Sequence, residues 1–378
     1  MKQHISIIFG LAIACATAAS GHAEEVVIGA ALPLTGNVAT WAGQPVANGI
    51  LLATDEVNAN HEAGEHTLKV LVEDMASDRT QGITLASRFI NSENVSMIIG
   101  YPSSIHATAV APLVNQAETP LISVAVSKAV TGSGPWAFKL WQASDVPADA
   151  LSDLVVKNLK PKTIAIVFNR DNDAYVEMAK IARKKFQDAG IDIVADEGTL
   201  ITDTNFTALS SKVASLKPQV LFLSGVAESM ANVVVQAKQA GLSDDVQIVG
   251  MPGLAPPAYE RIGGKAIDGS IFTGNYFLNA PQATNQHFVD AYRKRYGHDP
   301  DEFGAAGYTL VKLAALAVKS GGGDHEKIRQ ALNALTDVPV VIGNGTFSID
   351  KTSREPTYGS MLLQWKDGKV VAYQQPAN

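Results

Sequence analysis

The sequence predicts an α/β protein of two similar lobes, each a mostly parallel sheet with helices on both faces. Three observations carry this. From Val26 onward, short β-branched runs alternate with amphipathic stretches, the order that builds parallel sheets between helix layers. The order recurs weakly: Leu71–Gly100 runs strand, polar turn, helix, strand, glycine, and Ile193–Gly225 repeats it. The chain has 378 residues, 46% hydrophobic and 18% charged, which is room for two domains with sizeable cores.

The first element is a leader. Met1-Lys2 is a short basic start, Ile5 to Ala19 is apolar or small, and Gly21-His22-Ala23 has the small-x-small pattern of a signal-peptidase site. Residues 1–23 are therefore expected to be a secretory signal, and the apolar stretch is too short for a transmembrane helix. Its removal leaves 355 residues, a charge of 29 − 37 = −8 and no cysteine, because Cys15 is the only one in the chain. A lipidated Cys15 is the competing expectation, but Ala12 stands where a lipoprotein normally has Leu.

Strands are expected at Val26–Leu32, Leu68–Glu73, Ser96–Gly100, Pro120–Val124, Thr163–Phe168, Asp192–Asp196, Val220–Ser224 and Gln247–Gly250. Helices fall between them. Leu151, Leu154, Val155 and Leu159 share a face after Asp145 as cap and Pro147 in the first turn. Phe288, Tyr292 and Tyr296 sit at i, i+4 and i+8, and Gly297 is the stop signal. Two late helices, Gln282–Tyr296 and Phe303–Lys319, are expected to return to the first lobe. That order places interlobe crossings at Lys139–Asp145, Thr273–Phe277 and Asn344–Ile349. The lobes are then 24–142 plus 274–345 and 143–273 plus 346–378.

Composition and motifs exclude several functions. A net charge of −7 without a dense basic stripe argues against nucleic-acid binding. One cysteine rules out a disulfide framework and any four-cysteine zinc site. Gly29-Ala30-Ala31 lacks the second glycine of a dinucleotide loop, and no G-x-S-x-G, Walker loop or H-E-x-x-H is present. His106, two residues after Ser104, lies on a different helix face, so a nucleophile–base pair is disfavoured. Gly321-Gly322-Gly323 before Asp324 reads as a turn into a capped helix. Asp171 and Asp173 lack the Gly and Glu of a calcium loop, so a solvated turn is expected there. Neither metal nor cofactor is expected.

Open parallel sheets bind ligands beyond the carboxyl ends of their strands, where helix N-termini point free N–H groups. Three turns lie there: Gly100-Tyr101-Pro102-Ser103-Ser104, Ser123-Val124-Ala125-Val126-Ser127 and Gly250-Met251-Pro252-Gly253. In the first, two serines open a helix, which suits either N-capping or carboxylate capture.

The start Ile28-Gly29-Ala30-Ala31-Leu32-Pro33-Leu34-Thr35-Gly36, the helix GQPVANGILLATDEVN from Gly43 to Asn58, and Pro120-Leu121-Ile122-Ser123 resemble periplasmic solute-binding proteins of branched-chain amino-acid type ABC transporters, the leucine/isoleucine/valine-binding group. The resemblance runs from about Val26 to Tyr373. It implies the type I periplasmic binding fold, two Rossmann-like lobes joined by a three-strand hinge.

The resemblance also implies site residues. Trp41 matches an aromatic against the ligand side chain. Ser103, beside Tyr101 and Ser104, matches the carboxylate-receiving serine, and Ser127 a second donor after Val126. Ala125 falls where a backbone carbonyl faces the ammonium. In the second lobe, Ala174 or Tyr175, Val226 and the Met251-Pro252 turn line the ligand, and Phe303 comes from a late helix. The group uses a second-lobe acid to hold the ammonium, whereas this chain has Pro252, with Glu228 or Asp173 as the nearest substitutes. Burying an unpaired ammonium costs several kcal/mol.

The expected ligand is therefore an aromatic or branched organic acid without the α-ammonium, with a branched-chain or aromatic amino acid as the alternative. The implied protein is a monomeric, periplasmic, non-enzymatic component of an ABC importer that closes on its solute and docks on a membrane permease. A ligand-sensing module for a receptor and a secreted hydrolase are the competing classes.

Overall fold

The computed structural model describes residues 24–374, so the expected leader and Cys15 lie outside the described residues. The first sheet has five parallel strands, β1 (Glu24–Leu32), β2 (His66–Asp74), β3 (Met97–Gly100), β4 (Leu121–Ser123) and β5 (Ala137–Lys139), in the order β2-β1-β3-β4-β5. The second contains β6 (Thr163–Asn169), β7 (Asp192–Thr199), β8 (Val220–Ser224), β9 (Gln247–Gly250) and β10 (Ile271–Gly274), parallel throughout. A small antiparallel sheet follows, β11 (Val338–Pro339), β12 (Thr346–Ile349) and β13 (Pro356–Thr357). The hairpin β14 (Met361–Lys366) and β15 (Lys369–Ala372) then joins β10 in antiparallel fashion, completing the order β15-β14-β10-β9-β8-β6-β7. Strands β3, β8 and β10 are buried along their whole length, which explains why they are near-continuous apolar runs and not alternating ones.

Helices α1 (Gln44–Ala59), α2 (Arg79–Asn91), α3 (Ser104–Gln116) and α4 (Lys128–Gly132) accompany the first sheet. Helices α5 (Asp145–Leu154), α6 (Asp173–Asp188), α7 (Thr207–Leu216), α8 (Ala227–Gln239) and α9 (Pro257–Gly263) cover the second. Asp145 is not the cap of α5. Ser144 holds that position, and Asp145 in the first turn pairs with Lys128 at 2.7 Å.

The last helices, α10 (Ala283–Tyr296), α11 (Glu302–Gly321) and α12 (His325–Asn333), bury Phe288, Tyr292, Phe303, Leu310 and Ile328 in the same core as Ile28, Val46 and Ile99 of the first lobe. Helix α11 lies so close to α1 that a Cβ on Gly49 would stand 2.1 Å from the Gly304 carbonyl, and one on Gly307 2.1 Å from that of Val46. Glycine at both positions lets the helices touch backbone to backbone. This contact fixes the N-terminus of α11, and with it Glu302 and Phe303, beside the π-helical turn Ala39–Gly43 that carries Trp41.

The crossings differ from the expectation in one place. Leu140 and Trp141 belong to the first core and Ala148 to the second, so the chain crosses between them. It returns between Gly274, in the second sheet, and Tyr276, in the first core. The third crossing was expected at Asn344–Ile349, with 346 onward in the second lobe. Phe347, Ile349 and Tyr358 are buried in the first core instead, and the chain leaves it between Tyr358 and Met361. Short bonds tie the crossings together: Gln142 donates from its amide to the Tyr358 carbonyl at 2.6 Å, and Gly343 N–H to the Asn275 carbonyl at 2.8 Å.

Candidate functional site

Three serines divide the work of two neighbouring turns. Strand β3 ends at Gly100, whose φ is +112°, and a Cβ there would meet the Ala31 carbonyl at 2.7 Å, so the turn needs glycine. Ser103 occupies the N-cap of α3 with extended backbone, yet its side chain makes no capping bond. Its hydroxyl and the first-turn N–H groups of α3 are therefore free for an anion. Ser104 Oγ accepts from Val126 N–H and Ser127 N–H, both at 3.2 Å, and so fastens the neighbouring turn to α3. Ser127 Oγ caps α4 by accepting from Ala129 N–H at 3.2 Å, which leaves its own proton to donate.

Beneath this turn lies a charge that the sequence reading missed. Lys139 is fully buried, and its Nζ donates to the carbonyls of Val126 (3.4 Å) and Trp141 (3.1 Å) and pairs with Glu355 at 2.7 Å. Burial pulls its ammonium below the usual lysine range, while Glu355 works the other way.

An aromatic wall belongs to the core against which Val126 of the neighbouring turn packs. The Phe303 ring meets Trp41 edge-on at 5.3 Å and Trp141 at 5.0 Å. Trp41 is 53% exposed and offers its free face to solvent, whereas Phe303 and Trp141 are nearly buried. Among the described residues, Trp141 Nε1 has no hydrogen-bond partner. This tryptophan was missing from the expected site, although its place in the first crossing was the signal that could have found it.

In the second lobe, Asn169 organises the facing turns. Its carbonyl oxygen accepts from Val226 N–H at 2.8 Å, and its amide donates to Thr199 and Ser229. Ser224 Oγ donates to the Tyr175 carbonyl at 2.9 Å, Asn172 caps α6 through Ala174 N–H, and the Tyr175 hydroxyl lies against Gly253. Tyr175, Val226 and Pro252 are half-buried at this end of the sheet.

Three expected residues belong to the cores and not to a surface. Tyr101 is fully buried and its hydroxyl donates to the Gly82 carbonyl at 2.9 Å. Met251 is fully buried among Val249, Phe222 and Met178, and Ala125 packs with Val130 and Ala137. In each case the backbone follows a strand end as expected, but the side chain turns inward. No side-chain contact with a solute is open to Tyr101 or Met251. A carbonyl role for Ala125 remains an expectation.

Glu302, which the sequence reading did not consider, is the acid at this end of the first lobe. It sits in the first turn of α11 beside Phe303, and Asn275 of the second crossing donates to its Oε2 at 3.3 Å. Burial pushes its carboxyl up to about 7, with the like charge of Asp301 adding to the rise and the Asn275 bond opposing it. The sign for stability follows. The folded value exceeds the ordinary 4.5, so between pH 4.5 and 7 the unfolded chain loses this proton while the folded chain keeps it. Glu302 thus favours folding fully at low pH, and this contribution is lost as pH rises to about 7, by of the order of 2 kcal/mol for a partly buried group. Denaturant titrations of wild type and Glu302→Gln at pH 5 and pH 8 should show the variant gaining relative stability at pH 8. Equal differences at both pH values would contradict the raised carboxyl.

A two-lobed α/β molecule with an anion-ready helix N-terminus and an apolar wall has the parts that solute capture needs. The periplasmic binding protein family model matches residues 25–369, and the chain belongs to that family. Among relatives, the leucine-, isoleucine-, valine-, threonine- and alanine-binding protein of Pseudomonas aeruginosa is 27% identical over 370 residues, covering 96% of each chain. The Leu/Ile/Val-binding protein BraC3 of Rhizobium johnstonii is 27% identical over 372 residues, 96% of this chain and 97% of that one. The leucine binding protein LivK of Thermotoga maritima superposes with a TM-score of 0.79 at 25% identity, over 92% of this chain and 98% of that one. LivJ of Streptococcus pneumoniae, in complex with isoleucine, gives 0.80 at 24%, over 92% and 98%, a likeness of fold.

Proposed function

We propose that this chain is the substrate-binding component of an ABC importer, capturing an α-amino acid with a branched or aromatic side chain between its lobes in the periplasm and delivering it to a membrane permease. One observation carries the reading. The unspent Ser103 hydroxyl and the free N–H groups of α3 are joined through Ser104 to the Val126–Ser127 turn, which the buried Lys139 ammonium holds by the Val126 carbonyl and whose Val126 packs against the core that holds Phe303 and Trp141. That arrangement suits a molecule with a carboxylate at one end and an apolar group at the other. The relatives named for leucine, isoleucine and valine favour a ligand that also has an amine.

The earlier preference for an acid without an amine rested on Pro252 alone. It remains the second reading, favoured by the absence of any acid in the Met251–Gly253 turn. Calorimetry with leucine, phenylalanine and their deaminated counterparts, 4-methylpentanoate and 3-phenylpropionate, separates the two. Amino-acid binding supports the proposal, and binding confined to the deaminated acids sinks it. For whichever binds, Ser103→Ala should weaken affinity by ~1.5–3 kcal/mol, the range for a hydrogen bond to a charged group, with an unchanged melting temperature. Ser104→Ala should lower both, because its oxygen holds the Val126–Ser127 turn. Wild-type affinity in Ser103→Ala would remove the serine from the site.

A further inference from the structure

Glu302 is a carboxylate without a cation. Among the described residues its one side-chain hydrogen bond comes from the neutral Asn275 amide, no salt bridge reaches it, and the like charge of Asp301 stands beside it. It adjoins Phe303 in sequence, and the Phe303 ring forms the middle of the aromatic wall. Two tyrosines feel its charge: Tyr358 at the third crossing and Tyr175 of the second lobe, which Glu228 also reaches. The Tyr175 hydroxyl lies against Gly253, next to Pro252. Glu302, held at the second crossing through Asn275, therefore lies near Tyr175 of the second lobe, which adjoins the turn in which the acid is missing. A half-buried carboxylate kept without a cation beside apolar groups is costly in the empty protein and is relieved by a cationic group of the solute.

We infer that Glu302 is the counter-charge for the ammonium group of the captured amino acid, supplied by the first lobe in place of the second-lobe residue that Pro252 cannot be; the inference rests on the amino-acid reading above. It makes Glu302 a specificity-determining residue that separates amino acids from their deaminated analogues.

The test is calorimetry of the full mature chain with two matched pairs, leucine with 4-methylpentanoate and phenylalanine with 3-phenylpropionate, in wild type, Glu302→Gln and Glu302→Ala. The Gln variant keeps shape and removes charge, and circular dichroism with melting of the unliganded protein checks its fold. Amino-acid affinity should fall at least tenfold in Glu302→Gln, while the deaminated acid stays within threefold or tightens. A mutation-free readout accompanies it. Between pH 6 and pH 8 the wild-type affinity for leucine should rise at least threefold as the carboxyl ionises, and that for 4-methylpentanoate should not rise. The groups facing Glu302 across this range are Asp301, Asn275, Tyr175 with Glu228 beyond it, and Tyr358, none of which is a base that would reverse the sign. Amino-acid binding within twofold of wild type in both variants, or a flat leucine profile, overturns the assignment alone. Wild type that takes the deaminated acids and refuses the amines overturns the assignment together with the reading beneath it.

Discussion

Glu355→Ala is expected to destabilise the protein by ~3–5 kcal/mol, the cost of leaving a buried charge without its partner. Lys139 has no exposed surface, and its ammonium is held by Glu355 Oε2 at 2.7 Å and by two carbonyls. The other carboxylate oxygen accepts from Thr131 Oγ1 at 2.5 Å, and Arg354 donates to the Thr131 carbonyl. Removing the carboxylate leaves the Lys139 ammonium with two carbonyls and no counter-charge, whereas the Thr131 hydroxyl keeps its bond to the Lys128 carbonyl at 3.1 Å. Lys139 can shed its proton in response, because burial already lowers its pKa, so the loss should fall toward the lower end at high pH. Urea titration at pH 6 and pH 9 measures this. The double variant Lys139→Met with Glu355→Leu should recover most of the loss, since an apolar pair of similar volume avoids desolvating two ions. A loss under 1 kcal/mol in Glu355→Ala would mean that water reaches the ammonium. The binding consequence is separate: Lys139 supports the Val126 carbonyl, so a slack turn should weaken the Ser127 side of the anion site first.

Long buried strands and regular helices were legible because their signals are local. The runs at Met97–Gly100 and Val220–Ser224 are apolar throughout, and Phe288, Tyr292 and Tyr296 keep the helical period up to a left-handed Gly297. Strands β5, β11 and β13 have three residues or fewer, too short for any period to show. The β14–β15 hairpin did carry a signal, Asp367-Gly368 with both φ positive, which is the two-residue turn that suits strand twist. The third crossing was misplaced because Thr346–Ile349 reads as a strand in either lobe. Only the burial of Phe347 against the first core decides it. At the site, the strand–glycine–serine–helix pattern marked Ser103, but adjacency to a strand end does not tell which way a side chain points, so Tyr101 and Met251 were misassigned. Lys139 and Glu302 take their surroundings from partners far along the chain, which no motif records, whereas Trp141 was marked only by its place in the first crossing.

Phe303→Ala should cost ~3–5 kcal/mol in stability, the usual range for deleting a buried aromatic ring, and should also weaken capture of an apolar solute. The ring is 8% exposed and belongs to the first core, where it stands between Trp41 and Trp141. Without it, Trp41 loses its edge-to-face contact, worth about 0.5–1.5 kcal/mol, and its exposed indole is free to leave the wall. The close packing of Gly49 and Gly307 prevents α11 from sliding in to fill the void, because the two backbones already touch. The cavity should therefore persist, which places the cost in the upper part of the range. Phe303→Leu refills part of the volume and should restore stability more than affinity, since the flat face that orients Trp41 is still missing. Melting temperature and calorimetry on the two variants separate these effects. If Phe303→Leu binds as wild type does, the aromatic wall is core packing that borders the site, and the apolar end of the solute lies elsewhere.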